Sequence, residues 1–390
     1  MHVLQFVSWY PQNSEDISGS FFQEFANDLV KNGLKIGVLH AKFIEGLFNR
    51  ENKNSKPVTF TKENGVIVGR SKTRIRIPGP ARRIPALERR DVRIRLEAGR
   101  LLYDEYVANN GTPDIIHAQA CFWGGVIASW IANEEEIPFI VSAHSSVFGR
   151  GLVGKREKVL ASKVWRDSKQ NISVSQVNAE IICNMFNLPT DSFEIIPNGI
   201  NSEEFVVSPA PKNPFKWICI GNLVKNKRVD LLIEAMFSMP QNHRLVVVGD
   251  GPMKSDLIRR SKELGDRVEF LGTVDRENIP RLLSECHALV HPSQFETFGV
   301  VLVEAMMCGR PVVAMRCGGP EEIVVDTTGH LVENGSVEGL IQAMNAVSVS
   351  DWDAEKIAKY ARSSFDRQSV IRQFEMIYNE IANQKMERND

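Results

Sequence analysis

Short apolar runs recur along the chain, separated by longer stretches in which apolar residues return every three or four positions. The runs fall at 2–8, 34–40, 114–119, 138–145, 171–175, 217–222, 244–250, 268–272, 288–293 and 311–315. They are dense in Val, Ile and Leu with little polar alternation, the pattern of strands covered on both faces. Between them FFQEFANDLVKNG closes on Gly33, a helix C-terminus signal, and LLIEAM, MKSDLIRRSKEL and NIPRLLSEC have helical spacing. This alternation predicts α/β units built on parallel sheets. Composition breaks over 197–214, where four prolines sit among small polar residues, and the alternation restarts at Phe215. The expectation is therefore an α/β protein with domains at 1–200 and 201–367 and a final amphipathic helix over 368–390, packing back toward the first domain.

A chain of 390 residues suits two such domains. Hydrophobic residues make up 43% and charged residues 24%, with a net charge of −1, an ordinary globular balance with no polyelectrolyte character. That balance gives no reason to expect nucleic acid as a partner. No apolar run reaches the roughly 18–20 residues of a membrane span, and the N-terminus reads as a first strand instead of a signal peptide. Six cysteines show no CxxC spacing and lie mostly among apolar neighbours, which predicts free buried thiols and a cytoplasmic setting. One segment departs from the average. Residues 70–100 carry 11 Lys/Arg against 3 Asp/Glu, a net of 11 − 3 = +8. Its first half is broken by Gly and Pro and reads as a loop; its second half reads as a helix. It is either a solvated basic face or a contact for a phosphorylated acceptor or an anionic membrane surface.

The chemistry concentrates in HPSQFETFGVVLVEAM, residues 291–306. A strand ends near Ser293 and a helix begins near Gly299. Ligands of open parallel sheets bind beyond the carboxyl ends of strands. The first N–H groups of a helix lack intrahelical partners and favour an anion. Thr297, Phe298, Gly299 and Val300 therefore offer donors to a group such as a diphosphate. Glu304 sits in the second turn, and helical side chains lean back toward the N-terminus. A carboxylate there suits ribose hydroxyls, and Glu296 at the strand end suits the hydroxyls of a sugar. An isolated pair at this spacing also has plain readings: an exposed loop acid at 296, and at 304 a helix acid paired with a lysine or arginine.

The surrounding residues add a resemblance. H-P-S-x-x-E-x-F-G-x-x-x-x-E-A-M-x-x-G-x-P-V-V-A, from His291 to Ala314, resembles the nucleotide-sugar site of retaining GT-B glycosyltransferases of the glycosyltransferase 4 family (glycosyl transferases group 1). GNLVKNKRVDLLIEA, VVVGDGP, VEFLGTV and IIPNGI resemble further family segments in the same order, as do DISGSFFQEFANDLVKNG, DIIHAQ and VSAHSS in the first half. The likeness is strongest over 217–330. It implies a fold of two Rossmann-like domains facing each other across a cleft. It implies transfer of a sugar from a UDP- or GDP-sugar to a glycan or lipid-linked acceptor, as in surface polysaccharide or lipopolysaccharide synthesis; the basic stretch 70–100 adds the expectation that a cytoplasmic enzyme meets that acceptor peripherally at the inner membrane face. No cofactor beyond the nucleotide-sugar substrate is implied.

The resemblance also implies roles. Lys227 would neutralise the leaving diphosphate, Glu296 would bond the transferred sugar, and His144 would stand beside it. Gly19 would let backbone approach the diphosphate, Val274 would border the base, and Gly251 would belong to a tight loop near the site. Asn222 stands where the family usually places an arginine. Arg228, or the helix donors at 298–300, are candidates for the missing charge. His117 reads as structural. The one DxD, Asp351–Trp352–Asp353, reads as a helix cap, and no Cys/His cluster has zinc spacing, so no metal is expected. Two rival activities share the α/β pattern. A nucleotide-sugar epimerase has a similar two-domain shape, and an NAD oxidoreductase would need a glycine fingerprint that the chain lacks.

Overall fold

The structure is a computed structural model, and it describes residues 1–13, 16, 18–45, 58–77, 82 and 84–386. Among these residues the strands form two sheets. The first contains β1 (His2–Val7), β2 (Lys35–Glu45), β3 (Val58–Glu63), β4 (Val66–Ile75), β5 (Ile115–Gln119), β6 (Phe139–Ala143), β7 (Gln170–Ser173) and β8 (Phe193–Ile195). Their order is β3-β4-β2-β1-β5-β6-β7-β8, parallel throughout except for the β3–β4 pair. The second contains β9 (Phe215–Ile220), β10 (His243–Val248), β11 (Val268–Gly272), β12 (Ala288–His291), β13 (Val312–Met315) and β14 (Gly329–Val332). Its order is β11-β10-β9-β12-β13-β14, all parallel.

The burial explains the sequence pattern. Every residue of β1, β5, β6, β12 and β13 is buried, because helices cover both faces of each sheet. The chain runs outward from β9 to β11 and then returns to place β12 on the other side of β9. The crevice outside the ends of β9 and β12 is thus a topological switch point, where open α/β sheets take ligands. In the first sheet the equivalent reversal lies between β1 and β5.

The segment 70–100 differs from expectation. Its beginning is not a loop but the end of β4, paired with β2 on one side and β3 on the other. Val66, Val68, Ser71 and Ile75 are buried while Lys72, Thr73 and Arg74 lie outward or half-buried, so charged residues line the open positions of a real strand. Residues 78–81 and 83 lie outside the described residues. From Pro85 to Asn110 the chain is helical, as expected.

The helix Arg367–Met386 lies on the first sheet's helical layer, burying Val370, Ile371, Phe374, Ile377 and Tyr378 with Phe22, Leu29 and Ile36. Each such apolar side chain contributes roughly 1.5–3 kcal/mol on burial. Tyr378 Oη meets His117 Nδ1 at 2.7 Å, and His117 Nε2 meets Ser142 Oγ at 2.8 Å. His117 is thus wholly committed inside the fold.

Candidate active site

The helix Val300–Met307 is buried from Leu302 onward, and Glu304 is its single charged residue. Gly299 starts it with φ 110°, a conformation that disfavours other residues. Gly309, with φ 74°, follows its end where a Cβ would lie 2.8 Å from Ala354. Upstream, the loop from β12 is pinned across to the β13 end: Glu296 N donates to Cys317 O at 2.9 Å and Gly319 N donates to Glu296 O at 2.8 Å. Phe298 is buried against Phe365, with ring centres 5.7 Å apart. Its side chain is core, so any ligand contact there belongs to its backbone.

Lys227 ends a short turn after β9, and its Nζ lies 2.5 Å from Glu296 Oε2. His291 Nε2 lies 3.3 Å from the same oxygen. Burial would raise the Glu296 carboxyl, but the Lys227 ammonium and His291 outweigh it and hold it well below the usual carboxylate range. Burial, with Lys227 beside it, lowers the His291 pKa.

The first domain contributes His144 from the end of β6. Its Nε2 meets Gln119 Oε1 at 2.9 Å and its Nδ1 meets Asn198 Oδ1 at 3.2 Å. Burial pushes its pKa down to about 4, so the ring is neutral at pH 7. A neutral imidazole has one N–H, so one of the two amides must turn its NH2 toward the ring. The rings of Phe21 and Phe22 pack on His144 at 5.5 and 5.2 Å.

The two domains meet around this point. Thr297 Oγ1 donates to His144 O at 3.1 Å. Glu322 accepts from Gln176 N and Val177 N at 2.8 and 2.9 Å, across the domain boundary at the start of the helix Gln176–Phe186. Arg276, in the turn after β11, donates from Nε to Glu24 at 3.0 Å and from Nη1 to Glu304 at 2.7 Å. Arg367 also bonds Glu24, and its Nη1 lies 3.5 Å from Asp28.

A cavity of about 450 Å³ opens between the domains, with His144, Asn222, Arg276, Val300 and Val301 among its walls. The structure therefore brings His144, Asn222 and Val300 to one space. Glu304 meets that space through Arg276. Arg228 is turned elsewhere: its guanidinium engages Asp230 at 3.2 Å. Gly19 and Gly251 each stand where a side chain would meet backbone. A Cβ on Gly19 would lie 2.5 Å from Trp9 O, and one on Gly251 would lie 2.6 Å from Leu223 O. Val274 is half-buried against the second domain's core, two residues before Arg276.

Sequence reasoning missed Arg276, Glu24, Gln119 and Asn198. Glu24, Gln119 and Asn198 lie inside DISGSFFQEFANDLVKNG, DIIHAQ and IIPNGI, and Arg276 lies two positions beyond VEFLGTV, so the segments were in view while the individual residues were not singled out. The DxD carries a cap: Asp353 accepts from Lys356 N at 3.0 Å at the head of the helix Ala354–Phe365. Among the described residues no group of His, Cys, Asp or Glu is arranged to hold a metal, and all six cysteines are buried and free.

A model of the family described as Glycosyl transferases group 1 matches residues 201–364, and one of Glycosyltransferase Family 4 matches 19–204. The chain belongs to the GT4-type glycosyltransferases. A glycosyltransferase of Methanocaldococcus jannaschii, described as uncharacterized, is 31% identical over 239 residues; the match takes in 55% of this chain and 61% of that protein. Sucrose-phosphate synthase from Thermosynechococcus elongatus superimposes with a TM-score of 0.75 at 19% identity, covering 98% of this chain and 99% of that one. Anabaena HepE, solved with UDP and glucose, gives 0.72 at 19% identity over 97% and 100%. The fold of this glycosyltransferase is GT-B. Family membership sets aside the oxidoreductase reading.

Proposed function

We propose that this glycosyltransferase is a retaining enzyme that moves a hexose-type sugar from a UDP- or GDP-sugar to a hydroxyl of a glycan or lipid-linked acceptor. The observation that carries this reading is the interdomain cavity walled by His144, Asn222, Arg276 and Val300, together with the Lys227–Glu296 pair on the loops that follow β9 and β12. The solution of HepE with UDP and with UDP-glucose supports a nucleotide-sugar donor.

In this reading Glu304 takes the ribose hydroxyls and the diphosphate lies over the start of the helix Val300–Met307. Lys227 balances the charge that grows on the leaving phosphate. Glu296, held ionised, accepts from hydroxyls of the transferred sugar, and His144 orients it from the opposite wall. The C1–oxygen bond to the diphosphate breaks as the acceptor oxygen bonds C1 on the same face. The acceptor proton passes to the departing phosphate oxygen. No metal is assigned a step. The contacts between domains keep water from the donor and limit hydrolysis.

A second cavity, of about 400 Å³ in the first domain, fits the acceptor: Trp9, Phe122 and Trp123 offer flat faces for a sugar ring, with Gln12, Asp16 and His40 at its edge. The membrane contact is proposed for the neighbouring helices. Val92, Leu96, Trp130 and Val159 line an apolar groove flanked by Arg89 and Arg93. Part of the formal charge of 70–100 is offset by acids outside it, since Arg70 pairs with Glu63, Arg82 and Arg95 with Glu45, and Arg100 with Asp104. No described helix is long and apolar enough to cross a membrane; attachment in this reading is peripheral, from the cytoplasm.

Incubation with a panel of UDP- and GDP-sugars and oligosaccharide or lipid-linked acceptors tests the function. A transferred sugar whose anomeric configuration by NMR matches the donor is the expected result. An epimerised donor formed without acceptor would overturn it in favour of an epimerase. For the membrane, binding to anionic vesicles that falls with salt is expected, and equal binding to neutral vesicles would remove that part.

A further inference from the structure

We propose that Arg276 is a donor-binding residue whose guanidinium grips the diphosphate, supplying the cation that Asn222 cannot. The inference rests on the reading that Glu304 bonds the ribose.

Three observations lead to it. Arg276 and Asn222 are walls of the same cavity, reached from β11 and β9 respectively, and Arg228 is not among those walls. The cations near the crevice have local counter-ions: Lys227 has Glu296, Arg228 has Asp230, Arg367 has Glu24 and Asp28, and Arg276 has Glu24 and Glu304, of which Glu304 is the one that the ribose would claim. An incoming diphosphate therefore meets a crevice whose charges are largely balanced, and needs a cation that can be redirected. Arg276 is that group. It uses Nε on Glu24 and Nη1 on Glu304, and a guanidinium carries five N–H donors, more than these two bonds take up. It keeps 32% of its side-chain surface exposed, whereas Glu304 keeps 2%.

The geometry fixes the ligand chemistry. A ribose bonded to Glu304 lies within a few covalent bonds of the first phosphate. A guanidinium 2.7 Å from that same carboxylate is then beside the sugar–phosphate junction. Its planar fork of donors matches paired phosphate oxygens better than an ammonium does. As ribose hydroxyls take over the Glu304 oxygens, Nη1 is released toward the phosphates. Nε stays on Glu24, so the same residue ties the bound donor to the first domain.

The test compares UDP with uridine by titration calorimetry on the full chain, or GDP with guanosine if the wild type prefers guanine. Arg276→Gln is expected to weaken UDP about ten- to a hundredfold while uridine binding stays the same or improves. Arg276→Lys should keep most of the preference for UDP over uridine. Adding Asn222→Arg to Arg276→Gln should restore UDP binding. Unchanged or tighter UDP binding in Arg276→Gln overturns the assignment and leaves Arg276 as a strut between Glu24 and Glu304. So does an equal loss for UDP and uridine. A wild-type chain that binds none of UDP, GDP and ADP overturns the donor reading itself along with this one. Circular dichroism of each variant shows that it is folded, and Arg276→Lys decides the question if Arg276→Gln is not.

Discussion

Lys227 and Glu296 are each other's counter-ions, with Nζ and Oε2 2.5 Å apart across the gap between the β9 and β12 ends. The contact uses one of three ammonium N–H groups and one of two carboxylate oxygens, so each side chain keeps capacity for a ligand. The pair therefore holds both groups in place while a donor binds. Glu296→Gln and Lys227→Ala should each lower kcat for transfer by about 10² or more, the scale of losing one transition-state electrostatic contact. Rate measurement at saturating donor checks this, with near-normal turnover in either variant removing that residue from the mechanism.

The histidines set an acid limit on stability. His144 has an ordinary pKa of 6.5 and a folded value of about 4. Between those values the unfolded chain binds a proton that the folded chain refuses, so stability falls as pH drops from about 6.5 toward 4. His117, lowered to about 3 by burial and by His144, acts in the same direction. Glu296 adds a lower window: its folded pKa is depressed, so its contribution is present above the unfolded value near 4.3 and is lost as pH falls through and below it. His144→Gln should flatten the pH dependence of urea midpoints between pH 6.5 and 4 without abolishing it, since His117 remains. An unchanged slope would mean His144 is charged in the fold.

Two glycines with positive φ separate strain from clash. Gly19 has φ +75° and a would-be Cβ 2.5 Å from Trp9 O; Gly33 has φ +89° and nothing within 4 Å. Gly33→Ala should cost about 1 kcal/mol from conformation alone. Gly19→Ala should cost more, because the Trp9–Tyr10 backbone must move. Chemical denaturation of the two variants checks the order, and equal costs would show that the Trp9 segment yields freely.

Much of this was legible in the sequence, for definite reasons. Strands buried on both faces announce themselves as unbroken apolar runs; ten strands were readable as such runs, although one of them, Val268–Gly272, has no buried residue. The strands at 58–63, 66–75, 193–195 and 329–332 were not readable so: the last two are only three and four residues long, and the outward positions of the first two carry Lys, Arg and Thr, although Asn64–Gly65 between those two has the positive φ pair of a tight hairpin, at 49° and 91°. The site divides similarly. Glu296, Lys227 and His144 stand in motifs. The plain reading of Glu304, a helix acid paired with an arginine, is also what the structure shows, because the partner comes from 28 positions earlier. At Gly19 and Gly251 a Cβ would also meet a backbone neighbour, Trp9 O and Leu223 O respectively, a contact that no sequence motif announces. Pairings between domains, such as Arg276 with Glu24 over 252 positions, leave no periodic trace.

The last helix makes a separate prediction through Tyr378. Its ring is fully buried, and its hydroxyl is the Nδ1 partner of His117, which is itself 0% exposed. Tyr378→Phe keeps nearly all the apolar contact with Phe374 and His117 but leaves one imidazole nitrogen buried without a partner. The expected cost is about 1–3 kcal/mol, the penalty of an unsatisfied buried group. The same helix begins at Arg367, whose guanidinium bonds Glu24 and reaches Gly199 O at 3.4 Å on the cavity wall. Loosening it should therefore appear first as faster proteolysis near 367–386 and a lower melting temperature, with UDP affinity intact well below that temperature. Wild-type melting and protease resistance in Tyr378→Phe would show that the apolar face alone anchors the helix, and that His117 finds another donor when the hydroxyl is gone.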